Sequence, residues 1–174
     1  LTGCRVVGIA GAKEKCDYVV QELGFDACVS HYSDTLRDDL AAACPKGIDV
    51  YFENVGGKVF EAVFSLMNVH GRIPVCGTIS EYNDPSPKSG PTLRALLTSR
   101  LMIRGFIVGD HAARQADFLR DCARWIREGS LKYREDVVEG LEQAPSALLR
   151  LFDGRNFGKL LVRVSPDPTQ ATRG

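Results

Sequence analysis

Four short stretches of this chain carry groups able to hold a phosphorylated ligand or move a proton, and each follows an apolar run. Gly11-Ala12 leads into Lys13 and Lys15, two ammonium groups within one helical turn, with Glu14 between them. Lysine is a compact cation suited to phosphate, and glycine lets a ligand approach the backbone. Asn54-Val55-Gly56-Gly57 offers an amide beside two glycines. Cys76-Gly77-Thr78-Ile79-Ser80-Glu81-Tyr82-Asn83 supplies a tight turn, hydroxyls and a phenol; Tyr82 is the residue here that can donate a proton to, or bind, a substrate carbonyl. Phe106-Ile107-Val108 offers backbone amides and carbonyls. Each has a plainer reading: solvated lysines in a first helical turn, a helix start capped near Asn54, a surface tyrosine on a loop, and an ordinary apolar strand.

The elements that must position these groups alternate between short apolar runs and helical patterns, which predicts βαβ units and a parallel sheet. Strands are expected at Arg5–Ala10, Asp26–Ser30, Ile48–Glu53, Gly71–Cys76 and Leu101–Val108. Helices are expected at Glu14–Leu23, Asp34–Cys44, Val59–Met67, Leu93–Ser99 and Ala112–Glu128. Leu36, Leu40, Val59 and Val63 fall on the inward faces, and a long loop runs from Thr78 to Pro91. Pro74 conflicts with its strand, because proline donates nothing to a ladder, and an irregularity is expected there. Beyond Gly129 come a strand at Lys132–Val138, a helix at Ala144–Phe152, a strand at Gly158–Val164 and a disordered tail over 165–174. The fold class is α/β: an incomplete Rossmann-like, doubly wound parallel sheet. Its opening strand, Arg5–Ala10, reads as the second of such a sheet, with the first strand and its glycine-rich turn absent.

In such sheets ligands bind at the carboxyl ends of the strands, and the second strand end selects the cofactor. An acid there suits NAD, whereas Gly11-Ala12 followed by Lys13 and Lys15 suits the 2′-phosphate of NADPH; Glu14, the acid that could stand in for the NAD-binding one, falls in the helix and not at the strand tip. The same lack of an acid argues against a methyltransferase-like site for S-adenosylmethionine.

Bulk properties narrow the class. With 22 Lys plus Arg against 22 Asp plus Glu, the chain has no electrostatic footprint for nucleic acid or an anionic membrane. No apolar run approaches the ~18 residues that would span a bilayer, and no signal-peptide pattern opens the chain. The six cysteines never come closer than twelve residues in sequence, so no CxxC pair exists and no metal site is expected. Cys4 and Cys28 read as reduced, buried thiols, which suits a reducing cytoplasm. His31, His70 and His111 form no close metal pair, and neither a GxSxG nor a YxxxK motif is present.

Taken together, Val7-Gly8-Ile9-Ala10-Gly11 with Glu14-Lys15, Asp49 through Gly57, Val75-Cys76-Gly77 with Ser80, Tyr82 and Asn83, Tyr133-Arg134-Glu135, and Asn156-Phe157-Gly158-Lys159 resemble one family. It is the zinc-independent medium-chain dehydrogenases/reductases of the prostaglandin reductase and curcumin reductase type. The resemblance runs from residue 3 to about residue 164. It implies NADPH-dependent reduction of the carbon–carbon double bond of an α,β-unsaturated ketone or aldehyde. It further implies that Gly11, Lys15 and Tyr32 meet the 2′-phosphate end of NADPH and that Asn54 lies against the cofactor. Cys76, Gly77, Thr78, Ile79, Ser80 and Tyr82 would follow the nicotinamide half, with Phe106, Ile107, Val108 and Asn156 completing the pocket. Tyr82 would be the catalytic donor to the enolate oxygen.

Residues 1–131 would be a partial dinucleotide-binding domain, and 132–164 the segment that completes a GroES-like catalytic domain. Such a portion is expected to be inert by itself and to hold NADPH weakly. A non-catalytic cofactor-binding or dimerisation module is the rival reading. The Leu101–Val108 strand, an apolar edge unless paired, predicts a homodimer.

Overall fold

The computed structural model describes residues 1, 3–82, 86 and 92–167. It divides into two units, residues 1–124 and 125–174.

In the first unit the apolar runs become strands that pair in parallel. Strand β1 (Val7–Ala10) leads through helix α1 (Lys13–Gln21) to β2 (Ala27–Ser30), with Val7 opposite Ala27 and Ala10 opposite Ser30. Helix α2 (Leu36–Ala43), β3 (Ile48–Val50), α3 (Gly57–Phe64), β4 (Met67–Val75), α4 (Leu93–Ser99) and β5 (Met102–Gly105) follow. The second sheet runs β3-β4-β5, again parallel. No ladder joins β1 to β3 among the described residues, yet one core lies beneath both sheets. That core holds Val29, Leu36, Leu40, Val59, Ala62, Val63, Met67 and Ile73, with Val7 and Ile9 packed against it. The 3.6-residue spacing of Leu36 with Leu40, and of Val59 with Val63, gives α2 and α3 the apolar stripes that close over the strands.

Pro74 lies within β4, and its effect falls on the neighbouring strand. Tyr51 N donates to Arg72 O (3.0 Å), Glu53 N to Pro74 O (2.9 Å) and Cys76 N to Glu53 O (2.8 Å). The alternation of a parallel ladder calls for an N–H from residue 74 to Tyr51 O, and proline has none. The regular part of β3 therefore stops at Val50, and Glu53 meets Val75 as an isolated bridge. The marked irregularity lies upstream of the proline. Two steps along β3, Ile48 to Val50, match five along β4, Met67 to Arg72, and His70 takes a φ of 66°. Asn68 Nδ2 pins this bulge by donating to Lys46 O (2.9 Å) and Asp49 Oδ1 (2.8 Å).

Three other expectations are corrected. Helix α3 ends at Phe64, because Leu66 O accepts from Ile48 N (3.0 Å) and Met67 already pairs with β3. The last strand of the sheet ends at Gly105: Phe106 N makes a final link to Val75 O (3.3 Å), and the chain then turns into a 3₁₀ segment over Val108–Arg114. Cys4 is exposed, since it precedes β1 and pairs with no strand, whereas Cys28 is half-buried. Burial, reinforced by the Cys16 thiol, pushes Cys28 up to about 12 and keeps it protonated.

Helix α5 (Gln115–Arg127) runs across the boundary between the units. In the second unit, β6 (Glu135–Glu139) and β7 (Lys159–Arg163) pair in parallel, connected through α6 (Ala144–Phe152). Asp136 Oδ2 accepts from Phe157 N (3.0 Å) and Arg150 NH2 (2.9 Å). The Phe157 N–H and then the Arg150 charge hold its carboxyl below the usual carboxylate range. Of the tail, residues 168–174 lie outside the described residues.

Candidate functional site

The carboxyl ends of β2 and β3 open on the same side: Ser33 and Asp34, just past β2, line one groove with Lys58 and Glu61 in the first turns of α3. At the β1 end, Ser30 Oγ donates to Gly11 O (2.6 Å) and Tyr32 N donates to Ser30 Oγ (3.2 Å), which folds the β2 terminus over the glycine. A Cβ on Gly11 would stand 3.1 Å from the Tyr32 ring and 3.2 Å from both His31 Nε2 and the Tyr32 hydroxyl. The notch is walled by an imidazole and a phenol, which would have to give slightly to admit any larger residue. Lys13 is engaged by Asp17, one turn along α1 (2.5 Å), and that carboxylate raises its pKa. Burial, then Lys58 and Lys15, lower the His31 pKa, so the imidazole sits within a cationic neighbourhood. His31 carried no motif signal; only its place beside Tyr32 at a strand end could have flagged it.

The second centre joins two turns. Glu53 Oε1 accepts from Val55 N (2.6 Å) and Gly56 N (2.8 Å), shaping the Asn54–Gly57 turn. Across from it, Ser80 N and Oγ both donate to Val55 O (2.9 and 2.6 Å), Ile79 N donates to Asn54 O (3.3 Å), and Gly57 N donates to Glu81 Oε1 (3.3 Å). The two turns are zipped together with Gly77 between them. A Cβ there would lie 3.0 Å from Asn54 Oδ1 and 3.2 Å from the Tyr82 hydroxyl. An amide oxygen and a phenol, twenty-eight positions apart in sequence, therefore converge on one glycine. Tyr82 as a whole is exposed.

The remaining expected positions are less tightly drawn in. Phe106 is tied to β4 through Val75, with its ring 6.2 Å from Phe52. Ile107 and Val108 are exposed, and no hydrogen bond or ring contact joins them to the Cys76–Tyr82 turn among the described residues. Asn156 belongs to the second unit, where its Nδ2 donates to Gly158 O (2.8 Å). Asn83 lies outside the described residues. Glu53 and Glu81, which organise the two turns, were not singled out from sequence. Their signal was spacing alone: an acid directly before Asn54 and another before Tyr82.

Glycine notches, an amide, a phenol and a cationic corner at the strand ends of a parallel α/β sheet define the dinucleotide-binding class. Residues 1–124 match the profile of the zinc-binding dehydrogenases, and the chain belongs to that family. It is 48% identical over 173 residues to the NADPH-dependent curcumin reductase of Escherichia coli (strain K12), covering 96% of this chain and 50% of that protein. It is 44% identical over 164 residues to the (+)-pulegone reductase of Mentha piperita, covering 94% and 48%. The crystal structure of CurA in complex with NADPH from Vibrio vulnificus superposes with a TM-score of 0.89 at 46% identity, over 95% of this chain and 51% of that one. The chain spans about half the length of the curated relatives it matches. Among the described residues no group of three or more His, Cys, Asp or Glu is placed to hold a metal ion. Among the same residues no helix is long and apolar enough to cross a membrane.

Proposed function

We propose that this chain is the nucleotide-binding portion of an NADPH-dependent oxidoreductase that reduces the carbon–carbon double bond of α,β-unsaturated ketones or aldehydes. The observation that carries the reading is the convergence of Asn54 Oδ1 and the Tyr82 hydroxyl on Gly77 beyond the β3-β4-β5 sheet, in the same unit as a β1-β2 pair whose end bears glycine, Tyr32 and Lys15 instead of an acid. The reductase names and the NADPH complex among its relatives support the same assignment. Gly11, Lys15 and Tyr32 receive the 2′-phosphate end, and Asn54 with residues 76–80 and Tyr82 follows the nicotinamide half. Phe106–Val108 are assigned to the remainder of the pocket. When bound, NADPH supplies the hydride. Tyr82 donates a hydrogen bond to the substrate oxygen as enolate charge develops there, and the Gly77 notch leaves room for the reacting groups to approach.

Binding of fragments tests the cofactor assignment. The chain is expected to bind 2′,5′-ADP at least about tenfold more tightly than 5′-AMP, since one charge-assisted phosphate contact contributes roughly 1.5–3 kcal/mol. Equal affinities would remove NADPH from the reading.

We further propose that a second copy pairs along β5, forming a homodimer. Among the described residues the strand is bonded on one side only, to β4, and all four of its residues are exposed, with Met102 at 57% and Ile103 at 37%. An open apolar edge invites a partner strand. Ile103→Lys is expected to give monomer by light scattering, and an unchanged mass would sink the dimer. Six free thiols fit a reducing cytoplasm, where we place the protein.

A further inference from the structure

Glu53 is the polar residue that the core should not tolerate. It is 1% exposed, and its buried Oε2 has no donor within 3.5 Å; the Tyr51 phenol stands beside it, its pKa raised by burial first and then by the charge and hydrogen bonding of Glu53. A carboxylate with one oxygen only loosely partnered is costly to bury, and an apolar side chain would fill the same space at lower cost. Packing therefore does not account for it.

What Glu53 supplies is geometry. Its backbone N donates to Pro74 O, and its backbone O accepts from Cys76 N (2.8 Å) and Gly77 N (3.3 Å). Its Oε1 meanwhile holds Val55 N and Gly56 N, so one residue fixes the turns on both sides of the Gly77 notch. Gly56 has a φ of 79°, and a Cβ there would stand 2.7 Å from Glu81 Oε1, so the turn is closed from the opposite side as well. With both of its following N–H groups bound by a carboxylate oxygen, Asn54 has little freedom to swing away from Gly77. Charge-assisted bonds of this kind are roughly twice as strong as neutral ones.

We infer that Glu53 is a positioning residue for the nicotinamide end of the site: its carboxylate clamps the Asn54–Gly57 turn and so sets the Asn54 amide beside the Tyr82 hydroxyl at Gly77. The inference rests on the NADPH reading above and concerns a residue that touches neither cofactor nor substrate. It predicts a loss confined to one half of the ligand. Glu53→Gln keeps a carbonyl acceptor for the two N–H groups but removes the charge.

The test is titration of this chain with NADPH and with 2′,5′-ADP, followed by amide NMR. Glu53→Gln is expected to weaken NADPH about tenfold and to change 2′,5′-ADP by less than about twofold, a tenfold change being ~1.4 kcal/mol. A variant that lost both ligands equally, or neither, would overturn the positioning role. Should Glu53→Gln fail to fold, the unaltered chain still decides. NADPH is expected to shift the Val55 and Gly56 amide resonances, and 2′,5′-ADP is expected to leave them in place; unmoved signals under NADPH would overturn the inference. Failure of the unaltered chain to bind either ligand would instead overturn the NADPH reading, and the positioning role with it.

Discussion

Lys15→Glu is expected to weaken 2′,5′-ADP binding about 100-fold while leaving 5′-AMP within about twofold. Removing a charge-assisted contact to phosphate forfeits roughly 1.5–3 kcal/mol, and a carboxylate in its place adds repulsion, so a total near ~2.7 kcal/mol is reasonable. The corner at the β1 end makes the effect directional. His31, which Lys58 and Lys15 both influence, and the Tyr32 hydroxyl remain after the exchange, so the fold of the notch should persist. Screening should shrink the difference as salt rises, given a Debye length of ~10 Å at 0.1 M. Calorimetric or NMR titration of the two nucleotides reads the effect. Parallel losses for both would place Lys15 away from the 2′-phosphate.

Ile73→Ala is expected to carry the largest stability loss, about 2–5 kcal/mol, seen as a lower denaturant midpoint with little change in slope. Ile73 is 1% exposed in the middle strand of the β3-β4-β5 sheet, where the helix-covered core leaves little room to collapse around a deleted side chain. Set against a typical total of ~5–15 kcal/mol, that is a large fraction. The loss also reaches the site. Ile73 lies three residues before Cys76, whose N–H is bonded to Glu53 O, so exchange of the Cys76 and Gly77 amides should accelerate in step with the fall in stability. Leu93→Ala, at a strongly exposed position on α4, should stay within about 0.5 kcal/mol and serves as the contrast. A loss below ~1 kcal/mol at Ile73 would mean that the cavity is absorbed elsewhere.

Much of the fold was readable before any coordinates because its signals are local. Leu36 and Leu40, or Val59 and Val63, announce buried helix faces by spacing alone. Gly11 and Gly77 fall just past β1 and β4, and Gly56 and Gly57 take positive φ at the start of α3, so glycine marks the turns that leave the strands. Errors fell where long-range pairing overrode local pattern. Met67 continues an amphipathic stripe but is taken by β3 as a strand residue, and Ile107-Val108 read as strand although the ladder to β4 stops one residue earlier. Pro74 keeps its place in the expected strand, and the irregularity expected there falls on the neighbour: its missing N–H shortens β3, a consequence visible only once the partner at Tyr51 is known.

Sequence alone determined the parallel α/β class, the absence of an acid at the β1 end, and the residue types available at each strand end. Those follow from periodicity and from chemistry carried by single residues. Only the tertiary structure decided which groups meet: Asn54 with Tyr82 over Gly77, His31 with Tyr32 over Gly11, and Glu53 beneath both turns. The reason is register. Residues far apart in the chain become neighbours through strand order and hydrogen-bond alignment, and neither quantity is encoded in any one segment.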